Sequence, residues 1–199
     1  MTKGREHRIL VVEPSVFVNT PAGQVPIAEC IRIITQHDVA QFLLDCSEGE
    51  DKLASNLSLI LGLPVRSVAG FSQEYRPTSR VIAMNDFQPI LAGLNVIYLN
   101  NLHAVPVLDD KDRLVASLSE SVLYGWTQKN LEMIARPIST VKADFVIATS
   151  GDRLETIYKQ MLQKSLNHAW VIGDKHLVDS SITWSDILLL FVPFSPREA

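Results

Sequence analysis

The chain has 199 residues, of which 47% are hydrophobic and 20% charged, enough to bury a sizeable core as one large domain or two small ones. A formal net charge of −4 argues against a nucleic-acid binder, which would carry a basic stripe. The apolar runs fall far short of the roughly 20 residues that span a bilayer, and residues 1–7 (MTKGREH) lack the apolar core of a signal peptide. The expectation is a soluble cytoplasmic protein, with the nucleus as an alternative, and with neither nucleic acid nor membrane as partner. Cys30 and Cys46 form no CxxC pair and are expected to remain reduced thiols.

In chain order, the β-branched run RILVV at 8–12 reads as a buried strand. Residues 13–28 carry Pro14, Pro21, Gly23 and Pro26 and read as a long loop. A second strand is expected at 31–34. Thr35 then caps a helix over 39–45 whose apolar face is Val39, Phe42 and Leu43. An acidic, polar stretch at 47–55 leads to a short apolar helix or turn at 57–63, stopped by Pro64. Residues 71–79 read as a linker. Next come a strand at 80–84, a helix capped by Asn85 or Asp86 with Pro89 in its first turn, a strand at 104–108, a turn at 109–112, a strand at 114–118 and a helix beginning at Ser119. The order recurs: a strand at 145–148, a helix capped by Ser150 or Asp152 with Leu154, Ile157, Tyr158 and Met161 on its buried stripe, a strand at 169–172, a turn at Gly173-Asp174, a strand at 177–182 and a helix from Thr183 to Phe191.

Three segments lie in register: HRILVV with RIITQHDV, HAVPVLDD with RLVASLSESVL, and NHAWVIGD with HLVDSSITWSDIL. Each is strand, turn or loop, strand, then a Ser or Thr opening a helix. The fold class is therefore α/β (mixed α+β) with internal βαββα repeats.

HAVPVLDDKDRLVASLSES and LNHAWVIGDKHLVDSSITWSDIL resemble the tail of a cystathionine-β-synthase (CBS) domain, an apolar strand, then LVG, then [ST]-x-x-D. LETIYKQMLQKSLNHAWVIGD and SDILLLF are similar to the last CBS repeat of the gamma subunit of AMP-activated protein kinase and its plant relatives. The resemblance implies a CBS pair packed as a Bateman module over 63–193. The implied division is a back-half repeat at 1–46, a linker with a short helix at 47–79, CBS repeats at 80–126 and 127–194, and a tail at 195–199. It further implies a regulatory rather than catalytic role, AMP, ADP or ATP as ligand, no cofactor, and a protein kinase or other regulated protein as partner. A homodimer is compatible with it.

The [ST]-x-x-D pattern has a physical basis. An Asp at a helix start can accept bonds from ribose hydroxyls, and the exposed N–H groups of that helix end favour an anion. Thr35 with Asp38 and Thr183 with Asp186 fit, whereas Ser119 is followed by Val122, which cannot bind ribose. The same spacing is also a capping-box start. The resemblance places Ser185, Thr149 and Ala148 around the last of these sites, with Ala148 and Thr149 lining a base pocket. It places His168 toward the phosphates, with a pH response between about 6 and 7, and His7 and Arg8 as a phosphate-reaching pair of the first repeat. His37 is expected on the exposed side of its helix. Asp109, Asp110 and Asp112 fit a solvated turn better than a metal site. Trp126, Trp170 and Trp184 fit core or interface positions, with base stacking by Trp184 a secondary option. No GxSxG, HExxH, P-loop or GxGxxG occurs. The alternatives to a nucleotide sensor are an interaction scaffold that has lost its ligand and a regulatory piece of a catalytic chain.

Overall fold

A computed structural model describes residues 8–12, 17–21, 23–26, 31–50, 52–68, 81–123, 128–141, 143–173 and 177–192. The chain forms two units, Met1–Ser58 and Leu59–Ala199. In the first, β1 (Arg8–Val12) and β4 (Ile31–Thr35) pair antiparallel, Arg8 opposite Thr35. The Pro-rich stretch between them is not simply loop: β2 (Phe17–Thr20) and β3 (Gly23–Pro26) form a hairpin. Gly23 there has φ +120, a conformation that side-chain-bearing residues rarely adopt. α1 (Gln36–Ser47) starts at a capping box formed by Thr35 and Asp38. Phe42, expected on its apolar face, is 64% exposed, and Ala40 is the enclosed residue instead. His37 is half-buried. α2 (Lys52–Leu61) begins earlier than the apolar run at 57–63, because Ala54 packs inward together with Leu57 and Leu61.

The second unit holds two three-stranded sheets of one design. β5 (Met84–Asn85) lies parallel to β6 (Ala104–Leu108), which pairs antiparallel with β7 (Leu114–Ser119). β8 (Ile147–Thr149) lies parallel to β9 (His168–Ile172), which pairs antiparallel with β10 (Val178–Thr183). Met84 opposite Val107 repeats as Ala148 opposite Val171, and Ala104 opposite Ser119 as His168 opposite Thr183, each partner 64 residues on. Both antiparallel pairs shift register at the same point, Val107/Leu108 and Val178/Ser180. The parallel partners are joined by helices, as parallel pairing requires: α3 (Ile90–Leu99) and α4 (Leu154–Gln163). α4 buries Leu154, Ile157, Tyr158 and Met161, as its 3.6-residue pattern predicts. In the first repeat Met84, Ile90, Ile97, Val105, Val107, Ala116, Leu118 and Ile138 form one core. Gly93 lets α3 approach its sheet closely, since a Cβ there would overlap Leu118 Cδ2.

Several expected boundaries move. The strands at 80–84 and 145–148 contract to β5 and β8. Neither helix uses a capping side chain at its first residue, the N-caps being Pro89 and Arg153. Gln88 Oε1 and Asp152 Oδ2 instead accept from the backbone N–H of Asn85 and Thr149 (2.8 and 2.6 Å), closing the turn between strand and helix. The helix expected from Ser119 is only a 3-10 turn, Glu120–Leu123. At the end of the second repeat the Asp is kept and α5 (Trp184–Leu188) forms, followed by a 3-10 turn at Leu189–Phe191. The linker at 71–79, Cys30, Trp126, Asp174 and the tail at 195–199 lie outside the described residues.

Two short 3-10 turns bind the repeats to each other. Val65–Ser67 follows Pro64, and Ile138–Thr140 follows Pro137. The first docks on the start of α4: Val65 N–H donates to Asp152 O (2.9 Å), Arg66 N–H to Ser150 O (3.0 Å) and Leu154 N–H to Leu63 O (2.9 Å). The second docks on the start of α3: Ile138 N–H donates to Gln88 O (2.8 Å), Ser139 N–H to Asp86 O (2.9 Å) and Ile90 N–H to Arg136 O (3.0 Å). Each repeat therefore receives its turn from the segment leading into the other, and one bond at each place takes up the first donor of α3 or α4, Ile90 N–H or Leu154 N–H, which the helix cannot pair internally.

Candidate functional site

β10 ends at Thr183, which opens α5 beside the start of β9. Asp186 Oδ2 accepts from the Thr183 backbone N–H (2.9 Å) and hydroxyl (2.7 Å), while Asp186 N–H donates to Thr183 Oγ1 at 3.4 Å. Oδ1 takes no part in these bonds. Thr183, Ser185 and Asp186 are half-buried, so the carboxylate stands at a rim, neither enclosed nor fully hydrated. The first unit repeats this geometry, with 2.8, 2.7 and 3.3 Å for the same bonds between Thr35 and Asp38. Hydrogen bonds from the Thr35 side chain and then its backbone hold the Asp38 carboxyl below the ordinary range. In the middle repeat Ser119 Oγ lies 2.6 Å from Ser121 Oγ, and Val122 provides no carboxylate.

The other expected site residues divide. Thr149 is exposed at the end of β8, whereas Ala148 is completely enclosed, so its methyl does not line an open pocket. The backbone of Arg8 leads β1, opposite Thr35; its side chain and His7 lie outside the described residues. Trp184 packs edge-on against Tyr158, with ring centroids 5.0 Å apart, and is 1% exposed, so it offers no face to a base. Burial pushes the Tyr158 phenol above its usual range. Asp109 is used by its own turn: Oδ1 accepts from the Lys111 and Arg113 N–H groups, and Oδ2 from the Arg113 side chain. The Arg113 bond holds this carboxyl down at about 2.

His168 corrects an expectation. It reaches across to the first repeat, where its Nε2 lies 3.0 Å from Ser117 Oγ, and Trp170 Nε1–H donates to the same oxygen at 3.0 Å. The two rings of the second repeat also meet edge to face, with centroids 5.0 Å apart. Ser117 has one hydroxyl hydrogen. With Trp170 already donating to the oxygen, that hydrogen is satisfied by a neutral His168 whose proton sits on Nδ1. Desolvation, followed by the nearby His103, lowers the His168 pKa to about 4, so it does not titrate between 6 and 7. Its Nε2 serves a polar contact between the sheets. Sequence reasoning missed that contact because Ser117, in the middle of LVASLS, carries no local signal.

A shallow cleft of about 340 Å³ lies at the start of β8, lined by Ala143, Asp144, Phe145, Ile147, Gln160 and Lys164. Lys164 Nζ donates to Phe145 O at 3.1 Å across it. Among the described residues no helix is long and apolar enough to cross a membrane.

No family model and no curated protein matches the chain. Solved structures do. An uncharacterized conserved protein of Pyrococcus horikoshii has a TM-score of 0.60 at 18% identity, over 94% of this chain and 69% of that one. A Methanocaldococcus jannaschii protein proposed as an archaeal homolog of g-AMPK has a TM-score of 0.58 at 20% identity, over 82% of this chain. The alignment spans only 55% of that archaeal chain. The CBS domain of a bacterial CNNM/CorC family Mg2+ transporter, solved with ATP, has a TM-score of 0.52 at 14% identity, over 68% of this chain and 91% of that one. The fold is that of a CBS-domain pair, and the chain resembles AMPK gamma in this respect.

Proposed function

We propose that this CBS-domain pair is a regulatory module that binds an adenosine nucleotide at the start of α5 and passes the binding on to a partner protein. The observation that carries the reading is the Thr183–Asp186 geometry. The cap occupies Oδ2 and leaves Oδ1 to accept ribose hydroxyls at a half-buried helix N-terminus, where N–H groups favour an anion. The structural neighbour solved with ATP supports the same ligand class. Thr149 on β8 and Ser185 on α5 add hydroxyls. Thr35 and Asp38 form a second candidate of the same geometry in the first unit, with Arg8 leading the strand opposite. The role is regulatory rather than catalytic: ligand binding favours one packing of the repeats, which a protein kinase or another regulated protein reads. A soluble cytoplasmic setting belongs to the same proposal.

Calorimetric titration of the full chain with AMP, ADP, ATP and S-adenosylmethionine tests it, alongside Asp186→Ala and Asp186→Asn. Saturable binding that both variants weaken supports the reading. Binding unchanged by either variant removes Asp186 from the site, and absence of binding to the unaltered chain rejects the sensor. A second reading, an interaction scaffold without ligand, is favoured by the middle repeat, where Val122 replaces the carboxylate and the helix shrinks to a 3-10 turn.

A further inference from the structure

The two complete repeats exchange their leading turns reciprocally, with Asp86 and Gln88 accepting on one side as Ser150 and Asp152 do on the other. A pseudo-two-fold axis therefore relates them, and it carries each contact between the repeats to a mate. Ser117 of β7 meets His168 and Trp170 of β9. The register step that takes Ala104 to His168 and Ser119 to Thr183 also takes Pro106 to Trp170 and Ser117 to Ser181. The mate of that contact is Ser181 of β10 facing Ala104 and Pro106 of β6.

The two mates are chemically unequal. On one side an imidazole and an indole, edge to face, share the hydroxyl of a serine that is 5% exposed. On the other side a methyl stands where the imidazole would be. Pro106 is covered there, but Ala104 is half-buried and Ser181 is exposed. The room that a planar nitrogen ring takes on the first side is thus not filled by β6 on the second, and the gap lies between Ala104 and Ser181. The filled side leads to Ser119 and Val122, without a carboxylate. The unfilled side leads to Thr183 and Asp186. Ser181 and Thr183 alternate with Ile182 along β10, so their side chains share a face, about 7 Å apart. That spacing suits a nucleoside with its ribose at Asp186 and its base at Ser181.

We infer that Ser181 is the residue of the nucleotide cleft that contacts the base and selects it, an inference that rests on nucleotide binding at Asp186. Ser117 shows the chemistry: its oxygen accepts from the indole N–H, and its hydroxyl hydrogen goes to the imidazole nitrogen. An adenine edge presents the same pair, an amino N–H beside a ring-nitrogen lone pair. A serine hydroxyl donates one hydrogen and accepts on its lone pairs, so Ser181 holds that edge as Ser117 holds the two rings. The base lies against Ala104. Ala148 and Trp184, both enclosed, cannot take this role.

The test is calorimetric titration of the full chain with AMP and ATP, and with the purine riboside 5′-mono- and triphosphates, which lack the amino group. It is run on the unaltered chain, on Ser181→Ala and on Ala104→His. The unaltered chain is expected to prefer the adenine nucleotides by about tenfold, the worth of one hydrogen bond. Ser181→Ala is expected to remove that preference by weakening the adenine nucleotides alone. Ala104→His copies the imidazole of the filled side into the gap and is expected to weaken all four ligands by about tenfold or more, with the urea unfolding midpoint showing that the chain is folded. Adenine nucleotides that bind without preference, a preference that survives Ser181→Ala, or binding that Ala104→His leaves unchanged each overturns the base contact while nucleotide binding itself stands. Absence of saturable binding by AMP and ATP overturns both.

Discussion

Ser117→Ala tests how the two complete repeats are held together. Ser117 is 5% exposed and its hydroxyl serves both Trp170 Nε1–H and His168 Nε2 at 3.0 Å. The substitution leaves the indole N–H, on a side chain 4% exposed, without its acceptor; an orphaned buried donor costs about 1–3 kcal/mol. The imidazole Nε2 loses its hydroxyl partner at the same time. A loss of about 2 kcal/mol is expected in equilibrium urea unfolding at pH 7, from the midpoint at constant slope. A companion measurement uses His168. Its folded-state pKa of about 4 lies below the ordinary 6.5, so between these values the unfolded chain binds the proton more readily. Stability from this group is complete above pH 6.5 and is lost as pH falls toward 4, by about 3 kcal/mol at one pKa unit per 1.36 kcal/mol. Since burial is the leading cause, the slope survives Ser117→Ala and disappears in His168→Asn. A Ser117→Ala change below about 0.5 kcal/mol, or a slope unaltered in His168→Asn, refutes the buried inter-repeat contact.

Gly93→Ala gains about 1 kcal/mol of helix propensity, but its methyl meets Leu118 in a filled core, and overpacking costs about 1–3 kcal/mol. Net destabilisation near 1 kcal/mol is expected, with coupling in a double-mutant cycle with Leu118→Ala, and simple additivity would deny the contact. Ile138→Ala, in the turn that enters the first repeat's core, should cost about 2–5 kcal/mol. Val105–Leu108 and Ala169–Val171 should then lose exchange protection together, since the exchanged turns tie the two repeats; loss confined to one repeat would show that they unfold separately. Asp186→Ala should weaken nucleotide binding by about 1–3 kcal/mol and stability by about 1 kcal/mol through the cap. Asp186→Asn keeps an acceptor for the cap, so it separates the two effects by titration and urea unfolding.

The strands RILVV, AVPVL and HAWVI and the stripe Leu154, Ile157, Tyr158 and Met161 were legible because burial on one face or stripe imposes a period on the sequence. The Thr-x-x-Asp caps were legible because a cap is a contact between near neighbours. The hairpin at 17–26 was obscured by its own prolines, Pro21 between the strands and Pro26 at the end of β3. The starts of α3 and α4 were misplaced because their first donors are satisfied by distant turns rather than by local side chains. LPVRSV and RPISTV carry the same Pro-apolar pattern ahead of each repeat, and that signal was available, but not that the turns are exchanged.

The sequence by itself determined the repeat, the strand–helix order and the Asp that distinguishes the last repeat from the middle one, since each rests on residues close in the chain. Only the tertiary structure decided that His168 is a neutral contact to Ser117 and that Trp184 and Ala148 are enclosed. Those outcomes depend on desolvation and on partners distant in the chain, 51 and 53 residues away for the bonds that Ser117 shares with His168 and Trp170. Local pattern carries no record of such distances.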